Sequence, residues 1–104
     1  MDKIAALTEI LTADPTNAFA RYGLAMEHVA QGHPDAALTE FATCIEHNPD
    51  YVPAYQMSAQ TLVTQGRTGE ALARLEVGIA VALRTGNQHA LAEMTAMRDE
   101  LATR

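Results

Sequence analysis

Cys44 and His47 stand three positions apart, which on a helix puts a thiol and an imidazole on one face. Together they offer a soft and a borderline ligand to zinc. A closed structural site takes four such ligands, and the chain holds no second cysteine. The other histidines, His28, His33 and His89, fall at no ligand spacing, so neither a metal nor another cofactor is expected. Nucleophilic catalysis needs an activated Ser or Cys beside a base, and no spacing supplies that unit. Six glycines are scattered rather than gathered into a phosphate loop. The pair Asp99-Glu100 sits beside Arg98 and reads as a solvated face. No enzyme is expected from these residues.

The elements that position the side chains are easier to read than any chemistry. Asp14-Pro15 and Asn48-Pro49 lie 34 residues apart, and a slide of that length superimposes Ala20 on Ala54, Ala25 on Ala59, Gln31-Gly32 on Gln65-Gly66 and Ala37-Leu38 on Ala71-Leu72. A period of this size signals stacked supersecondary units. Helix formers dominate and no alternating β-branched run appears, so the class is all-α. The spacing predicts helices over about 3–13 (capped by Asp2), 17–31 (Thr16), 34–47 with Pro34 as first residue, 51–65 (Asp50), 69–85 (Thr68) and 88–102 (Asn87). Gly32 and Gly66 are placed to take left-handed angles at helix ends. Shifting by 33 aligns Leu91-Ala92 with Ser58-Ala59, and Leu91, Met94 and Leu101 read as the inward residues of the last helix.

With the repeat in view, the chain resembles tetratricopeptide repeats, whose pattern runs W-x2-L-G-x2-Y, then A-x3-F, then P. The first unit reads Arg21-x2-Leu24-Ala25-x2-His28, Ala37-x3-Phe41, Pro49. The second reads Tyr55-x2-Ser58-Ala59-x2-Leu62, Ala71-x3-Leu75, with Leu83 for the proline. The resemblance implies antiparallel helix-turn-helix repeats stacked in a short right-handed α-solenoid of about six helices. It divides the single domain into an N-terminal capping half repeat (1–15), repeats at 16–49 and 50–85, and a C-terminal capping helix (86–104). Lys3 stands where the pattern has its small Ala, as suits a cap with a polar outer face. Cys44 falls on Gly78, a place the family gives to a small packed residue, so it is expected buried. His28 takes the place of the family's Tyr and is expected half-buried.

The resemblance also implies a binding face. Phe19, Tyr22, Met26 and Val29 recur at helical spacing on the second helix, offset from Leu24, Ala25 and His28. On the fourth helix the matching places are Pro53, Gln56, Gln60 and Val63, with Met57 beside them. In the family these places line a concave groove that holds a partner's peptide or helix. Members that grip C-terminal carboxylates carry Lys, Arg and Asn there; here Tyr22, Met26 and Met57 stand instead. The expected function is therefore a non-catalytic interaction module for an apolar peptide or amphipathic helix. The rival is a self-assembly module forming a homodimer through the same apolar surface.

The net charge of −6 argues against nucleic acid, which needs a basic patch. A lone cysteine suits a reducing compartment, and no signal peptide or apolar run long enough to span a bilayer is visible. The expectation is a cytoplasmic protein without membrane contact.

Overall fold

Residues 2–103 are described by a computed structural model, and among them are six α-helices and no strand: α1 Lys3–Ala13, α2 Ala18–Ala30, α3 Pro34–His47, α4 Val52–Thr64, α5 Thr68–Thr85 and α6 Gln88–Ala102. Met1 and Arg104, the outermost residues of the two expected capping segments, lie outside the described residues. The chain divides between Tyr51 and Val52 into two compact units of three helices.

In the N-terminal unit α2 packs against both α1 and α3. Leu11 of α1 is buried with Ala20 and Leu24 of α2, and Ile4 and Leu7 lie partly buried on that cluster. Ala25, Ala37, Phe41 and Cys44 have no exposed surface, so α2 and α3 meet through small residues around one ring. Lys3 projects outward and lies 4.0 Å from Glu27. In the C-terminal unit α5 packs against α4 and α6, and α4 also touches α6. Gly78 is the closest point of approach: a Cβ added there would meet Tyr55 Cβ at 2.7 Å and Met94 Sδ at 2.8 Å. The two units thus solve one packing problem with Cys44 and Gly78 at equivalent places.

Several helix ends differ from the expected ones. Asn17, not Thr16, caps α2, its side chain accepting from Ala20 N at 2.8 Å. Because α4 opens at Val52, the cap position falls to Tyr51 rather than Asp50. Thr68 is already helical and Arg67 precedes α5, its guanidinium engaged by Glu70 in the first turn at 2.6 and 2.8 Å. The helix ends at Gly32 and Gly66 are as expected. At Gly66, φ is 72°, and Gly66 N and Arg67 N donate to Val63 O and Leu62 O, closing a Schellman turn.

The register of α6 also needs correction. Asn87 accepts from Ala90 N as Asn17 accepts from Ala20 N, and Ala90 is buried like Ala20 and Ala54. That matches α6 to α4 with a shift of 36, two more than the period, rather than 33. The cause is α5, which has 18 residues where α3 has 14. Met94 and Leu101 are buried as expected, Leu91 only half-buried.

Candidate binding faces

Burial divides Cys44 from His47. Cys44 has no exposed surface and its thiol points at Ala18 O, 3.7 Å away, whereas His47 is exposed. Burial pushes the Cys44 thiol above its ordinary pKa, with Arg21 pulling back less strongly. His89 reaches Glu93 at 3.1 Å on the surface of α6, and the His28 ring lies 6.2 Å from that of His33. Among the described residues no three of His, Cys, Asp and Glu gather in metal-binding geometry.

Where the repeat pattern has Trp and Tyr, Arg21 and His28 leave a hollow of about 400 Å³, walled by Ile4, Leu11, Leu24 and Glu40. Arg21 is spent on this chain: Nη1 donates to Glu40 Oε2 and Nη2 to Pro15 O, each at 3.0 Å. Arg21 Nε and His28 Nδ1 are enclosed without a hydrogen-bond partner, so neither atom is presented to a ligand.

The α2 stripe is uneven. Phe19 is 77% exposed, while Tyr22, Met26 and Val29 are half-buried. The Tyr22 ring lies 6.0 Å from Phe41 and 5.5 Å from Tyr51, both tilted. Burial raises the Tyr22 phenol above its ordinary range, with Tyr51 and Cys44 adding to the shift. Tyr22 is therefore partly a core residue, through which the stripe is anchored to α3. The spacing of 19, 22, 26 and 29 shows the stripe; it does not show that Phe41 reaches out to meet it.

On α4 the places named from the sequence divide as well. Gln60 is exposed; Gln56, Met57 and Val63 are half-buried. Gln56 Nε2 donates to Glu93 Oε1 at 3.3 Å, joining α4 to α6. One turn on, Gln60 and Val63 line a hollow of about 290 Å³ with Met97, Glu100 and Leu101. On the α6 side of this hollow the sequence showed Leu101 as an inward residue but not Met97 or Glu100. The longer α5 moves α6 two residues off the 34-residue period, so the slide does not bring Met97 and Glu100 into view.

Comparison with known proteins agrees with this architecture. The tetratricopeptide-repeat profile matches residues 4–57 and 28–94. The chain belongs to the tetratricopeptide-repeat family. It is 27% identical over 92 residues to a TPR repeat-containing protein of Pseudomonas aeruginosa, covering 88% of each chain. A tetratricopeptide repeat domain protein from Salinibacter ruber, solved in solution, superposes with a TM-score of 0.80 at 33% identity, over 85% of this chain and 89% of that one. PcrH, solved in complex with the chaperone binding region of PopD, shares the fold with a TM-score of 0.90 at 16% identity, over 97% of this chain and 77% of its own.

None of the described helices of this tetratricopeptide-repeat protein is long and apolar enough to cross a membrane.

Proposed function

We propose that this tetratricopeptide-repeat protein is a non-catalytic interaction module that takes an apolar peptide or amphipathic helix of another protein. Each unit offers its own contact face: Phe19, Tyr22, Met26 and Val29 on α2 in the N-terminal unit, and Gln56, Met57, Gln60 and Val63 on α4 with Met97 of α6 in the C-terminal unit. The observation that carries the reading is Phe19, a large aromatic side chain 77% exposed at the head of an apolar stripe whose other members are half-buried. The hollow floored by Val63, Met97 and Leu101 supports it, being of a size to take one apolar side chain. The occupant is a chain segment rather than a C-terminal carboxylate, because Tyr22, Met26 and Met57 offer no cationic donor. PcrH, whose fold matches and which holds a region of PopD, also favours a polypeptide occupant.

Isothermal titration with a synthetic amphipathic helical peptide, paired with sedimentation over a concentration series, tests this. The expected result is a monomer at every concentration that binds the peptide with a negative heat-capacity change. A tight dimer that excludes the peptide would favour the self-assembly reading instead.

A further inference from the structure

We infer that α1 carries a further docking face, which takes an Ala-faced helix of another protein with an acidic residue beside its small ones. This goes beyond the α2 stripe, and the observation is a difference in burial between equivalent helices. The 34-residue slide sets Lys3 on Ala37 and Ala71, Leu7 on Phe41 and Leu75, and Ile10 on Cys44 and Gly78. Those later residues are all buried. On α1, Ile10 is 46% exposed, the Lys3 side chain is 79% exposed and Leu7 is half-buried. In α3 and α5 these places receive the preceding helix: the Cys44 thiol points at Ala18 O, and a Cβ at Gly78 would meet Tyr55 Cβ. Among the described residues α1 packs only on α2, the helix that follows it, with Leu7 set against Gly23.

The two covered helices define what fits the third. On α3 and α5 the outer places are small, Ala37 with Cys44 and Ala71 with Gly78, and Gly78 leaves room for Tyr55. Ile10 leaves no such room, and Lys3 takes the place of an alanine. A helix lying on α1 as α4 lies on α5 therefore needs Ala or Gly where α4 has Tyr55, as well as where it has the fully buried Ala59. Leu7 and Ile10 then give that small face its apolar contact. The charge follows from Lys3, whose ammonium lies 4.0 Å from Glu27 with most of the side chain in solvent. So loose a pair is worth little, and a carboxylate on the incoming helix can take the ammonium over, whereas a base there would be repelled. A second copy suits this face poorly. Its own first-half helix, α6, matches α4 by the shift of 36, with Leu91 and Thr95 for Tyr55 and Ala59 and Arg98 for Leu62. It would bring bulk to Ile10 and a like charge to a face marked by Lys3.

The test uses the whole protein and three labelled helical peptides that share one Ala-rich face. The first has Glu beside that face, the second has Lys in its place, and the third keeps Glu but has Trp for one face Ala. Anisotropy titrations should show the Glu peptide binding about fivefold or more tightly than either of the others. Ile10→Glu, at an exposed position, should weaken it about fivefold or more at an unchanged melting temperature. Lys3→Glu should reverse the preference between the Glu and Lys peptides, and it decides alone if Ile10→Glu lowers the melting temperature. Phe19→Ser should leave the affinity as it was. Loss of binding in Phe19→Ser, or binding indifferent to Ile10→Glu, would overturn the inference and leave the α2 stripe standing. Equal affinity for the three peptides, or no binding of any, would overturn it as well. So would self-association that Ile10→Glu abolishes, since a second copy would then cover the face.

Discussion

Tyr22 and Met26 neighbour each other on one stripe but answer to different forces. Tyr22 packs at a tilt on Phe41 and Tyr51, whereas Met26 is half-buried. Tyr22→Ala should therefore lower stability by about 1–3 kcal/mol, the sum of ring pairing and partial burial, and Met26→Ala by about 1 kcal/mol or less. Equal urea midpoints for the two variants would contradict this assignment. Cys44 is the other residue with a measurable signature. Its thiol is raised by burial, so the folded state holds the proton more firmly than the unfolded state does. That stabilisation is complete below the unfolded value of about 8.5 and is lost as pH rises through the folded value. Melting temperature should fall as pH climbs above about 8.5, and Cys44→Ala should flatten the slope. Tyr22 and Tyr51, also raised by burial, add the same sign at still higher pH. An unchanged alkaline slope in Cys44→Ala would contradict the burial account.

At the scale of elements, helix contacts and helix ends carry the fold. Ala37 and Ala71 are fully buried where helices meet, so replacing either by Leu should destabilise by about 1–3 kcal/mol. Gly78→Ala should also destabilise, since the new methyl would strike the Tyr55 Cβ, which cannot swing aside as the Met94 sulfur can. Unchanged thermal unfolding in all three would contradict the helix pairing. At Gly66 the cost is backbone strain alone, for no atom lies within 4 Å of an added Cβ. Gly66→Ala should lose about 1 kcal/mol.

How much of this the sequence showed follows from which forces repeat. The 34-residue slide displayed the small packed places and the glycine turns directly, because close approach and positive φ tolerate few residue types. Caps were misplaced by a residue or so because Thr16, Asn17, Thr68 and Asp50 are all acceptable capping types, and geometry alone chooses among them. The α2 stripe was legible from spacing, while the partial burial of Tyr22 was not, since it depends on α3 and on Tyr51 across a loop. Met97 and Glu93 were hidden by the longer α5, which displaced the last helix from the period.

For the whole molecule, the central claim is that apolar faces, the α2 stripe in one unit and the α4/α6 hollow in the other, each offer a contact for another protein's segment. The most direct measurement is nuclear magnetic resonance mapping of the uniformly labelled protein titrated with the synthetic amphipathic helical peptide. The account predicts the largest perturbations at Phe19, Met26 and Val29 and at Gln60, Val63 and Met97. It predicts small ones at Ile4, Leu11 and His28 around the Arg21 hollow. Perturbations concentrated around that hollow, or none at all at saturating peptide, would contradict it.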